Sequence, residues 1–346
     1  MTTRASLADP FPSRWPTVAG AVLLLTAIVS VLLVAFAWPS VRSSVHDVPI
    51  AVAGPSPAVA QLRTTLEQRL PGGFEISEVA DTAAAEHLIR DRKVYGAIDL
   101  SSGAPQVVVA SAAGPAVAQT LQGVATGLAQ SGKPGTAVRD LVALPADDPR
   151  GAGLSAGALP LVMGGLLAAV LLTRLVRGTF RRVIGALAFA ITGGSAVTAI
   201  LQFWLGSLSG SYLANTGAVG LSIAAPASTV LGLEALLGYA GIGIGAVVMM
   251  LIGNPLSGTA TAPEMLPGWS GALGQALPPG AGGRLLRSTA FFDGHGATQA
   301  VAVLLAWLTL GVALCLVGWL RARRAAIGRA GLRTARADGA PAVLSS

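Results

Sequence analysis

The sequence predicts an all-α polytopic membrane protein with six transmembrane helices and a small extracytoplasmic α/β domain between helices 1 and 2. Composition is the first reason, because 53% of the residues are hydrophobic and only 11% are charged, whereas a soluble domain carries roughly 25% charged residues. Six apolar stretches are the second reason. About 20 uncharged residues match the thickness of a bilayer, and such a stretch must be helical because lipid offers its backbone no hydrogen-bond partner. A more polar block, residues 40–158, separates the first stretch from the second.

The predicted spans follow the hydropathy of the chain. They are residues 17–38, 159–175, 183–205, 217–233, 236–252 and 300–320. The fourth and fifth are rich in glycine and nearly continuous, so one broken helix with a re-entrant piece is the alternative. The first span contains Ala35-Phe36-Ala37, a match to a signal-peptidase site. Its apolar run exceeds the 7–15 residues of a signal-peptide core, which favours an uncleaved helix, with cleavage after Ala37 as the alternative.

Arginine placement predicts the orientation. With six spans, three groups of arginines fall on one side of the membrane: one before the first span, one between the second and third, and one after the sixth. The groups are Arg4 and Arg14, then Arg174, Arg177, Arg181 and Arg182, then Arg321, Arg323, Arg324, Arg329, Arg333 and Arg336. Short positive segments stay cytoplasmic. Residues 1–16 and the basic tail 321–346 are therefore expected inside, and the block 40–158 and the loop 254–299 outside.

The outer block has the pattern of a small α/β domain, with apolar or alternating strands between helical periodicities. The predicted strands are residues 48–53, 74–79, 95–100 and 106–110, and the predicted helices are residues 58–70, 82–91 and 116–130. Asp81 or Thr82 can cap the second of these helices, and Pro115 can open the third. Turn residues, including Lys133-Pro134-Gly135, fill the rest of the block before the second span.

Several kinds of chemistry find no support in the residues. The chain has no phosphate-binding loop of the G-x-x-x-x-G-K-[ST] type, and His46, His87 and His295 lie in separate segments without metal-ligand spacing. We therefore expect no enzyme activity, no metal site and no cofactor in this chain. Basic residues lie at helix ends rather than among aromatics, which argues against nucleic acid. Glu234, at the inner end of the fourth span, is either a polar turn residue or a coupling residue.

The turn between the second and third spans has two interpretations. It is a positive anchor at the inner face, or also a docking segment whose arginines face an acidic partner with an apolar side chain between them. The candidate docking residues are Arg174, Arg177, Phe180, Arg181 and Arg182. The tail after the sixth span is expected to bind anionic membrane lipid and then to become disordered.

The loop after the fifth span is too apolar for a free loop and too often interrupted by proline for one helix. It predicts short helices at the outer interface with Trp269 at headgroup level, shaped by prolines that fix φ and glycines that permit tight reversals. The residues of this candidate outer cap are Asn254, Pro255, Gly258, Pro278, Pro279 and Gly280.

Four motifs in this loop resemble the membrane subunits of type-2 ABC exporters, in particular the YhgE/Pip-like (phage infection protein-like) permeases. They are Asn-Pro-Leu-Ser-Gly at 254–258, Pro-Glu-Met-Leu-Pro at 263–267, Leu-Pro-Pro-Gly-Ala at 277–281 and Phe-Phe-Asp-Gly at 291–294. The layout of one span, a large outer domain and five further spans is also similar to theirs.

The resemblance implies a permease subunit of an ABC exporter in the bacterial plasma membrane. Such a subunit forms the translocation path as a homodimer, or as a heterodimer with a related permease, through spans near the first and fifth helices. A separate ABC ATP-binding subunit holds the ATP and docks on a coupling helix, which corresponds to residues 174–182 here, and residues 255–286 cap the outer mouth. The alternative function is a membrane-anchored extracytoplasmic sensor or envelope assembly factor without transport activity. A secondary carrier is disfavoured because the spans lack an ionisable residue at depth.

Overall fold

The computed structural model describes residues 14–101, 104–130 and 136–338, with side chains up to residue 327. Arg4, the turn at Lys133 and residues 339–346 lie outside the described residues, as do the side chains of Arg329, Arg333 and Arg336. The described chain is mostly helical and contains one small sheet. Five of its helices are long and apolar enough to cross a membrane, which is compatible with a multi-pass membrane protein.

These five helices match five of the six predicted spans. They are α1 (Trp15–Arg42), α5 (Ala152–Leu175), α6 (Thr179–Ala199, continued by the π-helical turn Ile200–Trp204), α7 (Tyr212–Leu237) and α11 (Thr298–Asp338). Helix α1 is continuous through Ala37. Helix α11 continues through the basic tail to Asp338, and the disordered end expected after Arg336 falls on residues 339–346, outside the described residues.

The segment predicted as the fifth span is shorter in the structure than the other five membrane helices. Helix α8 (Tyr239–Ala246) and the π-helical turn Val247–Gly253 together form an apolar segment. At 1.5 Å per residue its 15 residues rise about 22 Å, less than the roughly 30 Å of a hydrocarbon core. Gly238, at φ 63°, separates it from α7. Gly241 then packs on the backbone of Leu233, so the chain turns back along α7 and does not extend it.

Helix α7 is the centre of the helical bundle. It contacts α5, α6, α8, α10 and α11, and two thirds of its apolar window is buried. Gly311 lies beside Ser228 and Gly318 beside Ala235, so α7 and α11 run in the same direction. A Cβ added to Gly232 would lie 2.5 Å from the carbonyl oxygen of Gly311. Glycine therefore allows the close backbone approach that small residues give to helix pairs in membranes.

The bundle has two distinct ends. At the domain end α5 begins and α6 finishes, and Gly153 there packs on Ser207. The carboxylate of Asp148 caps α5 by accepting from the backbone N–H groups of Ala152 and Gly153, both at 2.7 Å. At the other end, called the arginine end, α5 passes into α6 through residues 176–178.

The α/β domain precedes α5 and contains every strand and helix predicted for it. The strands are β1 (Val48–Ala53), β2 (Phe74–Val79), β3 (Gly96–Asp99), β4 (Gln106–Val109) and β5 (Ala137–Asp140), and the helices are α2 (Ser56–Arg69), α3 (Thr82–Arg90) and α4 (Pro115–Gln130). The strand order is β2-β1-β3-β4-β5, and all neighbours are parallel except β3 and β4. Strand β5 was not predicted, because all four of its residues are exposed and no apolar pattern marks it.

Each face of the sheet has its own apolar core. Ile50 packs with Leu62 of α2 and Leu121 of α4 on one face, and Ala51 packs with Ile89 of α3 on the other. This alternation along β1 places successive side chains on opposite faces. Asp81 caps α3 as predicted, its carboxylate accepting from the backbone N–H of Ala84 at 2.8 Å.

Residues 254–294, called the Pro-Gly segment, join the sheet to the bundle. They contain the 3₁₀ turn Pro263–Met265 and the helices α9 (Ser270–Gln275) and α10 (Pro278–Phe291), so the short helices are confirmed. Met265 belongs to the core on one face of the sheet and Phe292 to the core on the other. Helix α10 also packs on α7 and α11. Helix α10 is therefore largely buried between the α/β domain and the helical bundle, although it was expected at the outer membrane interface. Trp269 is 71% exposed.

The contact between α7 and α11 generates the first prediction. A Cβ at Gly311 would overlap the backbone of Ser228 and Thr229. We therefore expect Gly311→Ala to lower the free energy of unfolding by about 1–3 kcal/mol, as overpacking does. Gly217→Ala is the control, because a Cβ there meets no atom within 4 Å. Thermal unfolding in detergent measures both, and equal midpoints for the two variants would contradict the packing.

Candidate functional site

The predicted docking turn is a tight connection between two long helices. Helix α5 ends at Leu175 and α6 begins at Thr179. Gly178, at φ 94°, reverses the chain, a backbone conformation that favours glycine. The resemblance implied a coupling helix at residues 174–182, and the structure has there the end of α5, the turn 176–178 and the start of α6.

Arg182 holds the arginine end of the bundle together. Its Nη1 donates to Glu234 Oε2 at 3.0 Å, which joins α6 to the end of α7. Its Nε donates to the carbonyl of Val176 at 2.8 Å and its Nη2 to the carbonyl of Thr173 at 2.9 Å. These carbonyls belong to the last turn of α5 and its C-cap, where the helix leaves acceptors unpaired. Arg182 is therefore a structural clamp, and Glu234 is its ion-pair partner.

The other four candidate docking residues face outward. Arg174, Arg177 and Arg181 are exposed, and Phe180 is 74% exposed. Within the described residues none of these three arginines lies within 4.0 Å of a carboxylate. The turn thus presents three cations and one aromatic ring on a rigid base.

The candidate outer-cap residues lie in the Pro-Gly segment and help to set its shape. Asn254 and Pro255 are half-buried, and Gly258, Pro278, Pro279 and Gly280 are buried. Gly258 has φ 65°, and a Cβ there would lie 2.9 Å from the nitrogen of Pro263. Pro278 and Pro279 open α10 at positions where proline is pre-organised for a helix. These residues therefore shape the backbone of the segment and form no cluster of chemical groups.

A cavity that sequence analysis did not predict lies between the α/β domain and the Pro-Gly segment. Its volume is about 350 Å³, and we call it the arginine cleft. The polar and charged residues that line it are Arg92, Lys93, Tyr95, Ser257, Thr259, Glu264, Gln275, Arg284 and Arg287. Four of these side chains are basic and one is acidic. The sequence contains one local signal of this cleft. Arg284 and Arg287 are three residues apart on α10, a spacing that places both on one face of the helix.

Arg92 enters the cleft from the loop after α3. Its φ is 59°, a left-handed conformation that is uncommon outside glycine. Its Nη1 donates to the carbonyl of Arg284 at 3.0 Å and to Ser288 Oγ, and its guanidinium lies 5.2 Å from the centroid of the Phe292 ring. Burial, followed by the positive charge of Arg287, lowers the pKa of Arg92 to about 10.

Arg287 is the most deeply buried charge of the cleft, with 6% of its surface exposed. Its Nη2 donates to the carbonyl of Thr259 at 3.0 Å, while its Nε has no hydrogen-bond partner among the described residues. Burial lowers the pKa of Arg287. Gln275 is arranged similarly, since its Nε2 donates to the carbonyl of Ser257 at 2.8 Å and its Oε1 has no partner in the described part of the chain.

The acidic group of the cleft is engaged by a tyrosine. The Tyr95 hydroxyl donates to Glu264 Oε2 at 2.7 Å. Burial, together with the negative charge of Glu264 and this hydrogen bond, raises the pKa of Tyr95 above its ordinary value. The phenol is therefore a neutral donor at physiological pH. No carboxylate of the described chain lies within 4.0 Å of Arg92, Arg284 or Arg287.

Comparisons with protein-family models, with curated proteins and with solved structures give no match to this chain. Among the described residues, no three His, Cys, Asp or Glu side chains lie close enough together to hold a metal ion. The exposed turn at the arginine end and the arginine cleft at the domain end are the two candidate sites that the described residues form.

The Arg182 clamp generates the second prediction. We expect Arg182→Gln to lower the free energy of unfolding by about 1–3 kcal/mol, because hydrogen bonds that involve a charged group contribute about that much. Arg181→Gln is the matched control on the next residue, which is exposed, and its effect should stay within about 0.5 kcal/mol. Thermal unfolding in detergent measures both, and a clamp variant as stable as the control would refute the structural role.

Proposed function

We propose that this chain is the membrane-spanning permease subunit of an ABC exporter, forming the translocation path as a dimer and driven by a separate ATP-binding subunit. The observation that carries the proposal is the exposed turn at the arginine end. It is clamped through Arg182 and Glu234 to α7, the helix on which the rest of the bundle packs. A rigid, positively charged protrusion of this kind suits an acidic partner surface.

Helix α7 provides a mechanical link from the turn to the other end of the bundle. Glu234 lies near its end at the turn, and Ser222 contacts α10 where Gly282 leaves room for its hydroxyl. Helix α10 in turn belongs to the Pro-Gly segment, whose Met265 and Phe292 pack into the two apolar cores of the sheet. A movement imposed on the turn by ATP binding would therefore reach the outer segment along packed elements.

The proposed topology has six crossings. Because α7 and α11 run in the same direction, the chain must return across the bundle between Leu237 and Thr298. The segment Tyr239–Gly253 runs back along α7 and, although short, is the crossing we assign to this return. Six crossings place all three arginine groups on the cytoplasmic side. Both termini are then inside the cell, the α/β domain and the Pro-Gly segment are outside, and the host membrane is the bacterial plasma membrane.

Helix α1 is the element that a dimer partner or lipid would cover. None of its apolar window is buried within the chain, and Leu23 and Val29 are among its most exposed apolar residues. We assign the partner subunit, either a second copy or a related permease, and membrane lipid to this surface. ATP is bound on the separate ATP-binding subunit, and nucleic acid is not a partner.

The alternative, an extracytoplasmic sensor or envelope assembly factor, is favoured by a different observation. The arginine cleft lies between the α/β domain and the Pro-Gly segment, whose helix α10 packs on α7, so a bound ligand could report to the membrane helices. The two functions differ in their need for an ATPase, which the next experiment tests.

The docking prediction concerns the complex with the separate ABC ATPase that the proposed function requires. Replacing Arg177, Phe180 and Arg181 together by alanine should reduce co-purified ATPase at least about tenfold, since a few anchor residues dominate such interfaces. The control replaces Arg321, Arg323 and Arg324, which are also exposed arginines after a membrane helix. Membrane insertion should be unchanged in both. An undiminished complex in the first variant would refute docking at the turn, and no ATPase complex with the natural sequence would favour the alternative function.

The topology prediction uses single cysteines in a Cys315→Ala background. Thr2→Cys and Ser346→Cys mark the two termini, and Ser77→Cys marks an exposed position on β2. With a membrane-impermeant maleimide, intact cells should label only the Ser77→Cys protein, and the termini should react only after permeabilisation. Labelling of one terminus in intact cells would mean an odd number of crossings.

A further inference from the structure

We propose that the arginine cleft is a binding site for an anionic phosphate group, carried by an amphiphile that lies along the adjoining surface of the bundle. The inference concerns this chain alone and does not depend on the ATPase. It starts from charge: Arg92, Arg284 and Arg287 line the cleft with no carboxylate within 4.0 Å of them among the described residues, and Glu264 is the one acidic residue of the lining. Lys93 also lines the cleft but is exposed and pairs with Asp91. Burying charges of one sign without a partner is costly, and an incoming anion would remove that cost.

The arginines are held in place in a way that leaves donors free for a ligand. Arg287 is anchored by one nitrogen on the carbonyl of Thr259, and Arg92 by one nitrogen on the carbonyl of Arg284 and on Ser288. Arg284 is anchored by Nη1, which donates to Gln299 Oε1 at 3.1 Å. Each guanidinium has five N–H donors in a planar fork. Most of these donors are therefore available, and their orientation is set before the ligand arrives.

The buried and unpaired Nε of Arg287 is the most specific sign of a ligand. Among the described residues seven buried side-chain atoms have no hydrogen-bond partner, and Arg287 Nε is the one nitrogen donor among them. Planar guanidinium groups pair in a bidentate manner with phosphate oxygens. The Glu264 carboxylate accepts from Tyr95 through Oε2, and no carboxylate of the described chain lies within 4.0 Å of Arg287.

A second cavity explains why we assign the phosphate to an amphiphile. It has a volume of about 230 Å³ and shares Ser257, Gly258 and Thr259 with the arginine cleft. It continues past Ala158 and Leu159 of α5 and Pro39 of α1, and both of these helices are apolar enough to cross a membrane. A molecule with its phosphate in the cleft can therefore lay its apolar part along these helices.

The experiment measures thermal unfolding of the purified full chain in a neutral detergent with three probes. They are dihexanoyl phosphatidylglycerol, dihexanoyl phosphatidylcholine and inorganic phosphate. A ligand that binds only the folded state raises the unfolding midpoint with its concentration. We expect phosphatidylglycerol to raise the midpoint and phosphatidylcholine, which carries no net charge, to leave it unchanged. A rise with inorganic phosphate as large as that with phosphatidylglycerol would keep the phosphate site and overturn the amphiphile, and no rise with either would overturn the site.

Two variants separate binding from structure. Arg287→Met should weaken phosphatidylglycerol binding at least about tenfold, and Arg63→Met, an exposed arginine on α2 paired with Glu78, is the matched control that should bind normally. If Arg287 were only structural, its variant would unfold earlier without lipid and still gain the full shift with it. Should Arg287→Met fail to fold, the half-buried Arg284→Gln should still lower affinity, and unchanged affinity there would overturn the proposal.

Discussion

The close packing around α7 is the constraint on which the rest of the structure depends. Helices α5, α6, α8, α10 and α11 all meet this one helix, and they can do so only where the contact residues are small. Gly165 of α5, Gly194 of α6 and Gly311 of α11 each lie against α7 backbone or side-chain atoms with no room for a Cβ at ordinary distance. In lipid, where apolar surface alone does not drive helix association, such backbone contact supplies the stability. It also makes α7 the common path between the two ends of the bundle.

The arginines at the two ends of the bundle differ in their burial and in their partners. At the arginine end, the one carboxylate of α7, Glu234, is paired with Arg182, and the remaining arginines of the turn stay exposed. Water and anionic headgroups can neutralise those exposed cations at little cost. At the domain end, Arg287 is buried with only a backbone carbonyl as acceptor. Because a buried charge without a counter-ion is expensive, the proposed phosphate ligand would stabilise the second arrangement, whereas the exposed cations of the first need no such ligand.

Sequence patterns predicted the elements in which the order of apolar and polar residues follows the burial of the side chains. Strand β1 is a continuous apolar run because both of its faces are buried, and helix α4 repeats apolar residues because one of its faces is buried. Both were predicted within one or two residues. Strand β5 was not predicted, because its side chains are all exposed and its place in the sheet comes from backbone pairing with β4. The start of the fifth span was predicted at residue 236, whereas Gly238 ends α7 and the segment begins at Tyr239. Hydropathy does not record where a helix breaks.

What this sequence determined by itself was the set of lipid-compatible helices, the small α/β domain and the position of every arginine along the chain. Each of these follows from local composition and short-range periodicity. Only the tertiary structure decided that Arg92 would meet Arg284, 192 residues further along the chain. That meeting depends on Met265 and Phe292 entering the two cores of the sheet and on α10 packing against α7. Contacts between segments so distant in sequence are set by the fit of packed surfaces, which no local pattern of residues contains.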